Sequence, residues 1–281
     1  MLHSRKWWIV LGALALLVLL AGCSPVQETV TTPEMKESNS WWIRNVVYWF
    51  SLMLDTFADW FGGEYGLAIL LLTIIVRTLI LPLMIKQYKN TQAMQKLQPE
   101  MLKIREKYKD DPRRQQEELM KLYQTHQVNP LAGCLPLIIQ LPIFIALYNS
   151  IYMNQPIYEH TFLGLKLGLA PIEAPWYYYI IPVIAAITTW IQSKMMMVQN
   201  PNAMMGPMRS MMMVFPVLIF VMAINFAVAL PLYWIYSNIY TIVQNYFMYG
   251  RRSPEAEEQS APQKTGKKKS GGKRKKGAHA K

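Results

Sequence analysis

One charged residue, Arg77, lies inside a long apolar run and is the side chain in this sequence most suited to unusual chemistry. A guanidinium stays charged in proteins and carries five N–H donors, so it can hold a carboxylate or several oxygen acceptors. Placing it near the middle of a membrane costs about 2.5–3.5 kcal/mol, so it needs water or polar partners there. Thr73 precedes Arg77 by one helical turn and therefore shares its helix face.

Uncharged polar residues also lie near the middle of four other apolar blocks. A single buried amide usually only joins two helices, but polar residues in every block, with one full charge among them, favour a shared hydrated cavity. The candidate residues of this cavity are Arg77, Thr73, Gln140, Gln192, Asn225 and Asn238. Further polar residues in the same blocks are Thr188, Thr189, Ser237, Thr241 and Gln244.

The residue types that are absent exclude several classes of function. The apolar blocks contain no Asp, Glu or His, so Arg77 has no carboxylate partner within them, which argues against a proton-coupled transporter. Nucleophile-elbow, zinc-hydrolase and nucleotide-loop motifs are missing, and Cys23 and Cys134 lack a metal-ligand spacing. The sequence therefore predicts a protein that is not an enzyme and that uses no cofactor or metal.

Five blocks of bilayer length must position these residues. About 20 apolar residues cross the ~30 Å hydrocarbon core of a membrane. The predicted spans are 65–85, 133–152, 176–195, 210–229 and 231–249. The predicted fold class is an all-α membrane protein whose core of five transmembrane helices covers 65–249, with a cytoplasmic helical hairpin and an external amphipathic helix.

The distribution of basic residues orients the spans. Segment 86–132 carries ten Lys and Arg and the tail after Gly250 carries eleven, whereas 24–64 carries two and the 153–175 loop carries one. The positive-inside rule places the first two regions in the cytoplasm and the other two outside. We therefore predict a multi-pass protein of a bacterial cell membrane, with an external N-terminus and a cytoplasmic C-terminus.

Residues 1–22 predict a lipoprotein signal peptide. A basic start, an apolar run and small residues before a cysteine are the layout of an export signal. The ending Leu20-Ala21-Gly22-Cys23 resembles a bacterial lipobox, which implies cleavage before Cys23 and a diacylglycerol and palmitate anchor on that residue. The alternative is an uncleaved signal anchor whose cysteine is coincidental.

The segment that follows, 23–64, is predicted to be lipid-anchored and external. Residues 24–40 are polar and predict a flexible tether. From Trp41 to Phe61 the apolar residues recur every three or four positions with polar residues between them, which predicts an amphipathic helix lying in the membrane interface. Together with the lipid, such a helix supplies the two signals that stable anchoring requires.

Two cytoplasmic segments complete the predicted organisation. Residues 86–128 carry two amphipathic stripes around Asp110-Asp111-Pro112, which predicts a helical hairpin with charged, solvated outer faces. The tail, 250–281, is a disordered polycation able to bind anionic lipid headgroups or the phosphates of ribosomal RNA; DNA is not a predicted partner. Its basic cluster consists of Lys267, Lys268, Lys269, Lys273, Arg274, Lys275 and Lys276.

Three groups of motifs carry a family resemblance. They are Tyr65-Gly66-Leu67 leading to Arg77 and Pro82-Leu83; Val128-Asn129-Pro130-Leu131-Ala132-Gly133-Cys134-Leu135-Pro136 followed by Gln140-Leu141-Pro142; and Leu232-Tyr233-Trp234 with Asn238. From Trp41 to Tyr249 the chain resembles the YidC/Oxa/Alb family of membrane protein insertases, in the short lipoprotein form of Gram-positive bacteria. The resemblance implies a protein that inserts and helps to fold integral membrane proteins without nucleotide hydrolysis.

The resemblance also implies roles for particular parts of the chain. The spans would enclose a hydrophilic groove that is open to the cytoplasm and the lipid and closed outside, with Arg77 as its arginine and Gln192 as a polar residue from the third span. The hairpin would receive nascent membrane proteins with acidic exported ends, and the tail would contact the ribosome. Whether the Sec translocon is a partner stays open.

Two other functions are compatible with the residues alone. One is a channel or transporter for small solutes that uses the same polar cavity. The other is an assembly factor that only scaffolds membrane proteins. The missing intramembrane carboxylates count against coupled transport, and the hairpin and basic tail favour a protein client.

Overall fold

The computed structural model describes residues 29–129, 135–199 and 207–249. The predicted signal peptide, the predicted lipidation site Cys23 and the basic tail lie outside the described residues. Residues up to Val243 belong to one compact unit, and the chain from Gln244 onward belongs to a second.

The described chain is mostly helical. Its α-helices are α1 (Thr32–Glu37), α2 (Tyr48–Trp60), α3 (Tyr65–Lys96), α4 (Gln98–Lys107), α5 (Pro112–Thr125), α6 (Leu135–Met153), α7 (Gln155–Glu159), α8 (Ile180–Gln199), α9 (Pro207–Asn225) and α10 (Ala229–Tyr249). A π-helical segment, Ile43–Val47, leads into α2, and 3-10 helices cover Pro171–Glu173 and Trp176–Tyr179. Two short antiparallel strands, β1 (Thr161–Phe162) and β2 (Leu165–Lys166), form a hairpin.

Five long apolar helices, α3, α6, α8, α9 and α10, overlap the five predicted spans. By length and composition, Tyr65–Lys96 and Trp176–Met197 are long and apolar enough to cross a membrane, and Ile138–Met153 and Met212–Asn225 are shorter apolar helices. Pro82, Pro142 and Pro216 lie inside three of these helices. Proline is tolerated in membrane-spanning helices, where neighbouring helices and polar side chains can satisfy the freed backbone groups.

Helix α3 begins at Tyr65, as the first predicted span does, but it continues past Ile85 to Lys96. The first span and the first part of the predicted hairpin are therefore one helix. The hairpin itself consists of α4 and α5. Asp111 caps α5 by accepting a hydrogen bond from the Arg114 backbone N–H at 3.1 Å, which explains why the chain turns there.

A capped segment precedes α2, where the sequence predicts a flexible tether. The Glu34 carboxylate accepts from the Thr31 backbone N–H at 2.8 Å, which starts α1, and the Met35 side chain is buried. The Val30 N–H donates to the Met153 carbonyl at 2.6 Å, which ties the segment to the end of α6. The tether prediction is therefore wrong from Val30 to the end of α1, because local capping and an apolar anchor hold this stretch in place.

The helical periodicity of the Trp41–Phe61 region is present, but its apolar stripe has a different partner from the predicted one. Leu54 and Phe57 are buried against α3 and α6 instead of facing lipid. Trp49 and Trp60 lie beside this stripe, since 100° per residue places them within about 20° of one another and Trp60 about 60° from Phe57, and both are exposed. The stripe therefore anchors α2 to the protein.

The largest core cluster joins α2 to the first half of α3, the second half of α6 and the start of α10. Gly66, in the first turn of α3, is needed for this packing because a Cβ there would lie 2.3 Å from the Phe162 ring. The tightly packed core therefore lies at the ends of the helices that the sequence predicts to be external.

Candidate functional site

The candidate site is a polar strip on one face of α10. Tyr233, Ser237 and Tyr240 follow at i, i+4 and i+7, so their side chains share that face. Each reaches a polar side chain on another helix. Their partners are Gln140 on α6, and Arg77 and Thr78 on α3.

Arg77 is half-buried and is held by a single described hydrogen bond, which its Nη2 donates to the buried Ser237 hydroxyl. Its buried Nε–H has no hydrogen-bond partner among the described residues. The ion pairs of the described chain do not include Arg77. The guanidinium therefore keeps donors for a group that this part of the chain does not supply.

Thr73 lies one turn above Arg77, at the packed end of the strip. Its side chain is 1% exposed, and its hydroxyl donates to the Ile69 carbonyl at 2.7 Å in its own helix. The hydroxyl is satisfied without a partner from another helix. Thr73 therefore belongs to the wall that closes this end of the strip.

Gln140 and Tyr233 form the second contact of the strip. The Gln140 Nε2 donates to the Tyr233 hydroxyl at 2.5 Å, and Tyr233 is buried. Pro142 follows within α6, where the missing N–H loosens the helix near this amide. The third contact joins the Thr78 Oγ1 and the Tyr240 hydroxyl, 3.1 Å apart and more exposed.

The Asn238 side chain contacts α8 and not Arg77. Its Nδ2 donates to the hydroxyl oxygens of Thr188, at 3.1 Å, and Thr189, at 2.8 Å. Such amide–hydroxyl contacts hold helices together where apolar surfaces alone give little specificity. Asn238 therefore fixes the contact between α8 and α10.

Two other predicted residues lie apart from these contacts. Gln192 is half-buried on α8, one turn beyond Thr188 and Thr189. Asn225 is exposed at the end of α9, where its Nδ2 donates to the Val221 carbonyl of its own helix at 2.7 Å. Of the predicted residues, the structure thus brings Arg77 and Gln140 to the α10 strip, and Thr73 lies one helical turn from Arg77.

Sequence reasoning missed the residues of α10 that hold Arg77 and Gln140. Ser237 is one of several polar residues in its span, with nothing local to select it, and Tyr233 and Tyr240 count as apolar residues in a membrane segment. The available signal is the spacing of the two tyrosines about Ser237, which places three hydroxyls on one helix face.

Burial changes sharply along α3 on either side of Arg77. Ile69 and Leu72, toward its start, are buried, whereas Leu79 is 73% exposed and Leu83 is also exposed. Thr73, one turn before Arg77, is buried, whereas Thr78, which contacts Tyr240, is exposed, so the strip is covered at one end and accessible at the other. Its chemistry is hydrogen bonding and positive charge, because the described residues contain no group of His, Cys, Asp or Glu able to hold a metal.

Comparisons with known proteins identify the relatives of this chain. A family model described as the 60Kd inner membrane protein matches residues 56–255. The chain is 44% identical over 274 residues to the membrane protein insertase MisCA of Bacillus subtilis, covering 96% of this chain and all of that protein. It is 45% identical over 255 residues to membrane protein insertase YidC 2 of Bacillus anthracis, covering 88% and 94% of the two chains.

The fold is also similar to that of a solved protein. An active YidC insertase, whose crystal structure resolves its first transmembrane domain, superposes with a TM-score of 0.58 and 30% sequence identity. The match covers 75% of this chain and 47% of that chain, so this chain spans about half the length of that insertase.

Proposed function

This chain belongs to the 60Kd inner membrane protein family of YidC and MisCA, and on that premise we propose that it inserts integral membrane proteins and assists their folding. Its relatives are named as insertases and not as enzymes, in agreement with the sequence prediction. The family membership also makes the chain an integral membrane protein.

The observation that carries the proposal is the state of Arg77. It lies where α3 passes from buried to exposed, and it has donors that no described residue uses. A positive group in a surround of low dielectric attracts a carboxylate more strongly than it would in water. The client in our proposal is therefore a nascent membrane protein whose exported end is acidic.

Insertion would then proceed in two physical steps. The hydrated face of α10 and Arg77 shorten the hydrocarbon path that the client's polar end must cross. The client's apolar segment moves sideways into lipid, and its burial at ~25 cal/mol per Å² drives the process without nucleotide hydrolysis. Thr73, Gln140, Gln192, Asn225 and Asn238 are the further groove residues of this proposal, with Ser237, Tyr233 and Tyr240 added.

The proposed topology has five crossings, formed by α3, α6, α8, α9 and α10. The basic hairpin and the tail would lie in the cytoplasm, and the lipid on Cys23 would hold the N-terminus outside. The charge distribution supports this arrangement through the positive-inside rule. The predicted contacts of the tail with ribosome or anionic lipid, and any contact with the Sec translocon, are part of the same proposal.

Reconstitution tests the proposed function directly. Liposomes containing the purified protein should insert a single-span client with an acidic exported end in the absence of ATP, and protein-free liposomes should not. Replacing the client's carboxylates by amides should lower the yield, because the attraction to Arg77 is lost. Equal insertion with and without the protein would contradict the proposal and leave a scaffold or a solute channel as the function to test.

A further inference from the structure

Four polar side chains from distant parts of the chain meet at the end of the bundle opposite the exposed half of α3. We call them the external clasp: Thr32 of α1, Asp55 of α2, Tyr65 of α3 and Asn154 between α6 and α7. None of them belongs to the α10 strip. They connect elements separated by up to 122 residues.

Asp55 is the centre of the external clasp. Its carboxylate accepts from the Thr32 hydroxyl at 2.5 Å, the Tyr65 hydroxyl at 2.9 Å and the Asn154 Nδ2 at 3.0 Å. The ion pairs of the described residues do not include Asp55. A half-buried carboxylate without a cation must be stabilised by hydrogen bonds, and those made to a charged acceptor are about twice as strong as neutral ones.

The burial of Asn154 shows that the external clasp is part of the packed interior and not only a surface contact. Its side chain is fully buried, and its Nδ2 also donates to the Thr32 Oγ1 at 3.0 Å. Its side-chain Oδ1 accepts from the Ile157 N–H at 3.5 Å, which caps α7. A buried amide left without these partners would be costly, so the four groups stabilise one arrangement together.

The backbone adds a second connection beside the side chains. Val30 pairs with the chain on both sides of Asn154, since its N–H donates to the Met153 carbonyl and its carbonyl accepts from the Gln155 N–H at 3.2 Å. Met35, one turn into α1, is 1% exposed. Residues 30–37 therefore pack over the end of α6 and are held there by backbone hydrogen bonds and a buried side chain.

An apolar layer lies between the external clasp and the strip that contains Arg77. Leu54 and Phe57, on either side of Asp55 in α2, pack in one core cluster with Ile69 of α3 and with Leu147 and Ile151 of α6. The clasp fixes α2 to the same two helices. Any movement of α2 away from the bundle would have to break the clasp and expose this layer.

We propose that the external clasp, with Asp55 as its positioning residue, holds the outer end of the groove closed while clients use the exposed half. The inference rests on the proposed function, because closure has a purpose only if the groove admits polar groups. It gives residues 30–37 a role beyond linking the core to a lipid anchor. Two helices can separate near Arg77 without opening a path across the membrane only if their other ends stay together.

The clasp is tested with Asp55→Leu, and Asp59→Leu is the matched control because Asp59 is an exposed acidic residue on the same helix. Each protein is placed in lipid nanodiscs and treated with trypsin, and cleavage after the exposed Lys36 of α1 is followed by mass spectrometry. Cleavage of a helix requires local opening. We expect Asp55→Leu to be cut about tenfold faster than wild type, and Asp59→Leu to be cut at the wild-type rate.

A second measurement tests closure itself. In vesicles of phosphatidylglycerol and phosphatidylethanolamine with an entrapped pH-sensitive dye, Asp55→Leu should raise the passive proton leak above wild type and Asp59→Leu should not. Thr32→Val keeps the side-chain shape and removes one donor, so it should show a smaller increase in both assays even if Asp55→Leu folds poorly. Equal cleavage for Asp55→Leu and Asp59→Leu, or faster cleavage with no added leak, would overturn the inference.

The insertion assay separates this inference from the proposed function. If the wild-type protein inserts no client, the proposed function fails. The cleavage and leak measurements still test whether the external clasp holds this end of the bundle closed. If the wild type inserts clients and Asp55→Leu is unchanged in cleavage and leak, only the clasp fails.

Discussion

The two ends of α3 lie in different surroundings. Near its start, Ile69 and Leu72 are buried, and the neighbouring polar groups of the external clasp satisfy one another. Past Arg77, Leu79 and Leu83 are exposed, and the Arg77 Nε has no described partner. Since Ile69 and Leu83 are separated by about 20 Å of helix, one element serves both as part of a closed wall and as part of an accessible surface. Different turns of α3 are therefore buried and accessible.

The largest expected effect comes from removing the charge at the boundary between the two ends. Arg77→Ala should lower insertion of an acidic client by about tenfold or more, since hydrogen bonds between charged groups contribute about 1.5–3 kcal/mol. Arg77→Lys should keep part of the activity because it keeps the charge but loses the planar fork of donors. Reconstituted insertion measures both variants, and full activity of Arg77→Ala would show that the guanidinium serves packing alone.

A stability measurement should separate the two ends of α3. Ile69→Ala, at the buried end, should destabilise the protein by about 2–4 kcal/mol because it leaves a cavity. Leu79→Ala, at the exposed end, should change stability by less than about 0.5 kcal/mol. Unfolding in detergent micelles, followed by circular dichroism, compares them. Similar losses for the two variants would mean that the exposed half of α3 is as tightly packed as the other.

The hydrogen bonds of the α10 strip should contribute less to stability and to insertion than Arg77 and the buried end of α3 do. Tyr233→Phe removes the hydroxyl that accepts from Gln140 and should cost about 1 kcal/mol, with a few-fold loss of insertion. Tyr240→Phe is the comparison, because its contact with Thr78 is more exposed and should matter less. Stability and insertion measured together test this order. A larger effect of Tyr240→Phe would mean that the more exposed contact of the strip contributes more than the buried one.

The smallest effect is expected for Asn225. Its side chain is exposed and bonded to its own helix, so Asn225→Ala should change stability by less than about 0.5 kcal/mol and leave insertion intact. Asn238→Ala is the contrasting variant, since it removes two contacts with α8 and should destabilise the protein. A marked insertion defect in Asn225→Ala would show that this proposed groove residue contributes more than the contact with its own helix indicates.

Much of the fold could be predicted because its signals are local. The apolar blocks and the Asp111–Pro112 turn predict helices without knowledge of their neighbours. The prediction of a mostly helical membrane protein of the insertase family is confirmed by the fold and by the relatives. The lipid anchor, the topology and the roles of the groove residues stay predictions.

The contacts between helices could not be predicted in the same way. The choice of Ser237 as the partner of Arg77 depends on how α3 and α10 are rotated against one another, which a single sequence does not encode in any local pattern. The docking of residues 30–37 depends on Asn154, far along the chain. Residues 30–37 carry one local sequence signal, the spacing of Thr31 and Glu34, which is that of a capping box and indicates a helix start.

The pairing of Val30 with the end of α6 also sets an order for the synthesis of this protein. Thr32 and Asn154 are 122 residues apart, and ribosomes add about 5–20 residues per second, so the N-terminal segment exists for about 6–24 s before its binding site has been made. During that time α2 lacks the partners that α6 supplies. The segment that contains Val30 is therefore translated early and is among the last parts of the described chain to reach its final contacts.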